Sequence, residues 1–369
     1  MPGAPREDDQ SQDLIRTPYE KLEDPAFWDS LEVDGVVLYG WGAGKYHKIA
    51  KAIKNSGIFF VSHLDTAGIL GLSSGIRAFY EAQWNVLFRK EDRAHVGLYR
   101  FLIKAFRGST IGLVSNDLRR AMHLRHADVI GAISPIAQER IKKACRLYGG
   151  DALAGKVRLI PHPNGSYMLP SPDIPKERLV IAVGRWDDEK VKGTDLLMKV
   201  VERLEELDPK IRFEIYGEAT GKMERWHAAL SESGRAMITL KGIVPNTEVM
   251  RALQRARVSL CTSLHESYHA VSAEALCCGC SVVGPDIAEI PSMKWFTEEG
   301  SGTLAPRTRD GLAEAIVHEM AEWDRGNRDA QTISEQWSKR LHAPEVARLI
   351  LDLAANSHRT PEKREAAFQ

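Results

Sequence analysis

Two glutamates, Glu266 and Glu274, bracket seven residues in the stretch HESYHAVSAEALCCG (265–279), and Glu274 is the only Asp, Glu, Lys or Arg from Ser267 to Pro285. A carboxylate set among Ala, Val, Leu and Cys loses its hydration unless something polar meets it. Residues 263–268 read as a loop after a β-like segment, Arg257–Cys261, and Ala270–Cys278 reads as a short apolar helix stopped by Gly279. Glu266 then lies on the loop and Glu274 about one turn inside the helix. The amides of Tyr268, His269, Ala270 and Val271 form the helix N-terminus, which suits a phosphate or another anion. A carboxylate beside such a site can accept hydrogen bonds from sugar hydroxyls, as acidic residues do with ribose in dinucleotide folds. The chemistry indicated is nucleotide-sugar binding. The competing reading is a capped core helix whose acid pairs with a neighbouring basic residue.

A second cluster lies upstream. Residues 179–193, LVIAVGRWDDEKVKG, give a hydrophobic strand, a Gly184-Arg185 turn and then Lys192-Gly193. The helix Thr194–Leu207 follows, with Leu196, Leu197, Val200, Val201 and Leu204 at helical spacing. Cations at the carboxyl end of a parallel strand stand where open α/β sheets bind anionic ligands. Arg185 offers a fork and Lys192 a point charge, a pairing suited to a diphosphate. The alternative is a solvated loop, because Asp187, Asp188, Glu189 and Lys190 surround them.

Together these motifs resemble the family-4 retaining glycosyltransferases of the GT-B fold. The resemblance runs from about Leu179 to Leu351, with a weaker match over 36–165, and takes in the strand at 213–217 and the segment Lys241-Gly242-Ile243-Val244. It implies two Rossmann-like α/β domains facing across a cleft. It also implies that Gly184, Arg185 and Lys192 hold the donor diphosphate, Glu274 the ribose, Glu266 the transferred sugar and the backbone at Ile243 and Val244 the base. His63, at the end of the strand expected over 57–61, resembles the family histidine that faces the donor sugar, and a purely structural histidine is the other reading. Asp65 would either orient His63 or cap a turn. No cofactor or metal is expected, since fixed cations and helix amides stabilise the departing diphosphate. The family's aromatic-glycine pair is replaced here by Tyr268-His269, and the spacing from Arg185 to Lys192 is slightly long, so that Lys190 competes for the same role.

The elements that must position these residues are those of a parallel sheet with covering helices. Strands are expected at 35–39, 57–61, 111–115, 129–134 and 157–161, with a helix over 45–54. No strand is evident before Val36, so the amino-terminal domain reads as reduced. The turn Gly40-Trp41-Gly42-Ala43-Gly44 is the candidate for a replacement glycine-rich loop. The organisation read from the chain is an acidic, partly disordered segment 1–34, an acceptor domain 35–170, a donor domain 171–335, and terminal helices and a loose tail over 336–369. A proline-rich linker falls at 168–176. The terminal helices are expected to cross back onto the first domain.

Composition bounds the partners. Fifty basic and fifty acidic residues among 369 argue against a general nucleic-acid binder. No stretch is apolar enough to span a bilayer, and the five cysteines suggest packing in a reducing compartment, so a cytoplasmic location is expected. Within 98–107, LYRFLIKAFR, apolar residues interleave with Arg100, Lys104 and Arg107. A core-packed helix with a solvated basic face is the favoured reading, and peripheral membrane contact the other. The function expected is retaining transfer of a sugar from a nucleotide-diphosphate donor, UDP favoured, to an unidentified hydroxyl acceptor on a glycan, lipid or small molecule. The alternative is a nucleotide-sugar-binding protein with a degenerate acceptor domain.

Overall fold

Short runs rich in Val, Ile, Leu and Phe, each followed by a helical segment, build two sheets in which every strand pairing is parallel. The computed structural model describes residues 15–40, 44–68, 76–84, 94–111 and 118–357. In the first sheet β1 (Gly35–Gly40), β2 (Phe59–Leu64), β3 (Val129–Ala132) and β4 (Val157–Leu159) lie side by side in chain order. The second holds β5 (Glu177–Val183), β6 (Arg212–Tyr216), β7 (Ile238–Gly242), β8 (Ala256–Leu260), β9 (Ser281–Pro285) and β10 (Gly302–Ala305), in the order β10-β9-β8-β5-β6-β7. The architecture is that of two Rossmann-like domains, the first with four described strands against six in the second.

Both sheets are covered on each face. On one face of the second sheet, Leu197, Val200, Val201 and Leu204 of the helix Thr194–Leu207 pack with Phe213, Val258 and Val283. On the other, Ala273 and Leu276 of the helix Ala270–Cys277 pack with Trp295, Phe296 and Trp337. Burial on both faces is why β9 is buried along its whole length and carries no charged residue. The five cysteines are all free and buried.

The first sheet is covered on one face by Ile49 and Ile53 of the helix His47–Asn55, together with Trp28 from the short helix Pro25–Asp29. The segment 1–34, expected to be partly disordered, is folded over 19–29, where Trp28 buries its ring and donates its indole N–H to the Leu22 carbonyl at 2.9 Å. The opposite face, carrying Phe59, Val61, Val129 and Ile160, is covered by Val346, Ile350 and Leu353 of the helix Ala343–Ser357. The chain thus passes from the first sheet to the second and returns. The strand expected at 111–115 and the turn at 40–44 fall largely on 112–117 and 41–43, outside the described residues.

Candidate functional site

The order of the second sheet reverses between β5 and β8, neighbours in space but separated in sequence by β6 and β7. Such a switch point opens a crevice at the carboxyl ends of the strands. Gly184-Arg185 leaves β5 there, and residues 261–269 leave β8. The two segments are stitched together: the Leu264 amide donates to the Val191 carbonyl at 2.7 Å, and the Thr262 hydroxyl to the Lys192 carbonyl at 2.8 Å. Gly193 makes this approach possible. Its φ of +71° is a left-handed value, and a Cβ at that position would run into the Thr262 carbonyl. Gly217, with φ of +108°, sits equally close to the carbonyl of Gly184.

The stitch carries the charged groups. Lys192 Nζ is ion-paired with Glu266 at 2.5 Å, and the Ser263 hydroxyl donates to the same carboxylate oxygen at 2.9 Å. Burial alone would raise the Glu266 carboxyl, but His269, Lys192 and Ser263 together hold it below the ordinary carboxylate range. His269 is buried, which pushes its own pKa down to about 4, so at neutral pH the ammonium and the hydroxyl supply that stabilisation. Arg307, which the sequence reading missed, braces the loop by donating to the carbonyls of Thr262 and Ser263 at 3.0 Å each. Arg185, by contrast, is exposed and makes no ion pair among the described residues.

Glu274 behaves as an acid in an apolar run should. Burial raises its pKa, and no donor among the described residues meets its carboxylate. It lies in the second turn of the helix Ala270–Cys277, whose N-terminus has no side-chain cap. That helix begins at Ala270, where the sequence placed its start, and ends one residue earlier than expected, at Cys277. His269 is the N-cap, its amide faces the Ser292 hydroxyl at 3.4 Å and its Nδ1 the Ser272 hydroxyl at 2.7 Å. The amides left uncapped are therefore those of Ala270 and Val271, while the Tyr268 ring is buried against Phe296 and His162. At the end of β7, Ile243 stands 78 % exposed and Val244 packs into the core.

Across the cleft His63 is fully buried. Its Nε2–H donates to the Ile160 carbonyl at 2.8 Å, its Nδ1 has no partner, and burial followed by the nearby His162 lowers its pKa to about 4. The ring lies against Tyr39 and His162, with centroids at 4.4 and 5.0 Å, so in this arrangement His63 does not reach open space. His162 stands between His63 and Tyr268 of the second domain. Asp65 neither orients His63 nor merely caps a turn: it faces His162 Nε2 at 3.2 Å and accepts from the Ser267 hydroxyl at 3.0 Å, joining the two domains beside Glu266. Arg140 makes a second tie, donating to the Ala67 carbonyl at 2.9 Å and the Ala288 carbonyl at 3.1 Å. Beyond it lies a pocket of about 830 Å³, lined by Arg77, Trp84 and Phe101 from one side and by Glu289 and Lys294 from the other. It borders the Glu266 loop, since the Glu266 amide faces the Glu289 carbonyl at 3.4 Å.

Two parallel α/β domains with a charged crevice at the switch point of the second define the GT-B fold. The comparisons agree. Residues 177–322 match the family described as glycosyl transferases group 1. Over 134 residues, 35% of this chain and 29% of the relative, the chain is 28% identical to the phosphatidylinositol N-acetylglucosaminyltransferase gpi3 subunit of Schizosaccharomyces pombe. Over 175 residues, 45% of this chain and 37% of the relative, it is 27% identical to the D-inositol 3-phosphate glycosyltransferase of Thermobifida fusca. The matches thus span about a third of each curated relative. Among solved structures, Anabaena HepE in complex with UDP superposes with a TM-score of 0.57 at 15% identity, covering 90% of this chain and 82% of that one.

Proposed function

We propose that the protein is a retaining glycosyltransferase that moves a sugar from a nucleotide-diphosphate donor, UDP favoured, to a hydroxyl acceptor. The observation that carries this reading is Glu274, a desolvated carboxylate that meets no donor among the described residues, in the second turn of an uncapped helix at the switch point of a GT-B donor domain. Ribose hydroxyls supply the donors it lacks. The diphosphate meets Arg185, Lys192 and the amides of Ala270 and Val271, and the base covers Ile243 and follows the backbone to Val244.

Glu266 is the sugar-facing acid. Its pairing with Lys192 links the group that binds the sugar to the cation that stabilises the leaving diphosphate. As the anomeric carbon–oxygen bond breaks, negative charge grows on the diphosphate and positive charge on the sugar, and the fixed cations lower the energy of that separation. The acceptor hydroxyl attacks the face the nucleotide leaves and its proton passes to the departing phosphate, so configuration is retained. Cationic side chains carry the phosphate charge here, and no divalent ion is required. His63, enclosed as it is, holds the Ile160 carbonyl and the His162 ring in place and is not assigned a contact with the donor.

Isothermal titration with UDP and GDP, followed by assays of UDP-sugar hydrolysis and transfer, tests the reading. Micromolar UDP binding lost in Glu274→Ala, with turnover lost in Glu266→Ala, is expected. Donor binding without hydrolysis or transfer to any acceptor would instead establish a binding protein, and unaltered binding in both variants would remove the site.

A further inference from the structure

The helix Ala94–Ser109 divides its surface three ways. Gly97, Phe101 and Ala105, spaced by four, turn inward. Arg100, Lys104 and Arg107 form a basic strip along one flank. Most of the remaining outward surface is apolar and uncovered, with His95 at its amino-terminal end: Leu98, Tyr99, Leu102, Ile103 and Phe106 are 43, 65, 56, 37 and 68 % exposed. This corrects the expectation of a core-packed helix with a solvated basic face, because the inner contact uses Gly97, Phe101 and Ala105 and leaves five other large apolar residues outside. Five large apolar side chains on one helical face exceed the scatter of single exposed hydrophobics on an ordinary surface.

We propose that this helix is an interfacial docking surface for an anionic lipid bilayer, lying in the membrane plane with residues 98, 99, 102, 103 and 106 in the acyl boundary. Charge complementarity selects the occupant. A convex apolar ridge flanked by three cations fits a headgroup layer, where long basic side chains keep their charge at phosphate depth while apolar ones insert. The chain as a whole carries no net charge, so the attraction is local to this strip. The helix also has an inner role: Phe101 meets Trp84 edge to face at 5.2 Å, and both line the 830 Å³ interdomain pocket. Docking therefore brings the pocket to about one helix diameter, roughly 10 Å, from the bilayer. Membrane binding of this kind does not depend on the chemistry of the donor site.

The test is co-sedimentation of the full chain with phosphatidylcholine vesicles with and without phosphatidylglycerol. Binding to the anionic vesicles, weakened by salt, is expected. Arg100→Glu with Lys104→Glu and Arg107→Glu should weaken it on the order of a hundredfold, from about a factor of five for each cation. Leu102→Asp with Phe106→Asp should remove binding to both compositions. UDP titration and circular dichroism of the same variants check that they remain folded. A Leu102→Cys variant carrying an environment-sensitive dye gives an independent readout, its emission shifting to the blue on adding anionic vesicles. Failure of the wild-type chain to sediment with anionic vesicles overturns the proposal. So does binding unchanged by these substitutions, or a vesicle-free dimer that Leu102→Asp with Phe106→Asp dissolves, since the face would then cover a second copy.

Discussion

At the scale of single residues, the proposed donor site is a set of charges held in unequal states of satisfaction. Glu266 has its partners and stays ionised, whereas Glu274 has none among the described residues and its pKa is raised by burial. Glu274→Gln should therefore stabilise the ligand-free protein at neutral pH by about 1 kcal/mol while weakening UDP binding. The sign follows from linkage. A carboxyl whose folded pKa lies above its unfolded value costs stability once ionised, so the gain should vanish as pH falls below the ordinary Glu range. Melting curves across pH with and without UDP check this. Lys192→Ala leaves Glu266 largely buried and without its cation, and should cost about 2 kcal/mol of stability and abolish turnover. Recovery of stability in the double change with Glu266→Gln, seen in denaturant melts, would show that the lost pair is the cause. Glu274 was legible because a charge amid apolar residues stands out in any sequence, and Glu266 because it borders the same run. The Lys192–Glu266 pair was not, because its members lie 74 positions apart and meet only when β5 and β8 become neighbours.

At the scale of elements, the strand ends are held at a spacing that a single methyl group would upset. Gly193→Ala places a Cβ in a left-handed conformation against the Thr262 carbonyl. It should cost about 2 kcal/mol or more and loosen the Lys192 loop first. Hydrogen exchange should report faster exchange at 190–194 and 262–266 before any change in the core of the second sheet. The helix Thr194–Leu207 was readable to the residue from its apolar spacing, and the helix at 270 nearly so. The setting of the residue before it was not readable, because the His269 amide and ring meet Ser292 on a later segment and Ser272. The burial of His63 was equally hidden, depending on Tyr39, Gly131 and His162, which three other segments supply.

At the scale of the molecule, the two domains meet beside the site, where Ile133 and Ala137 share a buried cluster with Ile290 and Met293. Arg140 donates to a carbonyl in each, so Arg140→Ala should widen the distribution of domain separations and raise the radius of gyration in X-ray scattering, while each domain's melting is little changed. Acid should destabilise both domains together. His63, His123 and His269 are each buried with pKa near 4 against an ordinary 6.5, so unfolding takes up protons as pH falls through that interval. A depressed histidine contributes stability that is complete above 6.5 and lost towards 4, on the order of 3 kcal/mol each at the lower limit. Glu274 works in the opposite direction over part of the same range. Melting temperature measured from pH 7 to pH 4 should fall steeply, and His63→Gln should flatten the first domain's share.

What the sequence determined by itself was local in origin: apolar periodicity placed the strands and helices, and the motifs at 184–193 and 266–274 marked the charged residues of the crevice in the second domain, because those patterns are written in contiguous residues. Tertiary structure alone decided which groups meet. The switch point between β5 and β8 paired Lys192 with Glu266, and domain contact gave Asp65 to Ser267 and His162. It also decided which face of the helix Ala94–Ser109 turns outward. Periodicity fixes the relative angle of side chains around a helix, but only packing selects the stripe that is buried, and here it selected Gly97, Phe101 and Ala105 over the larger apolar residues beside them.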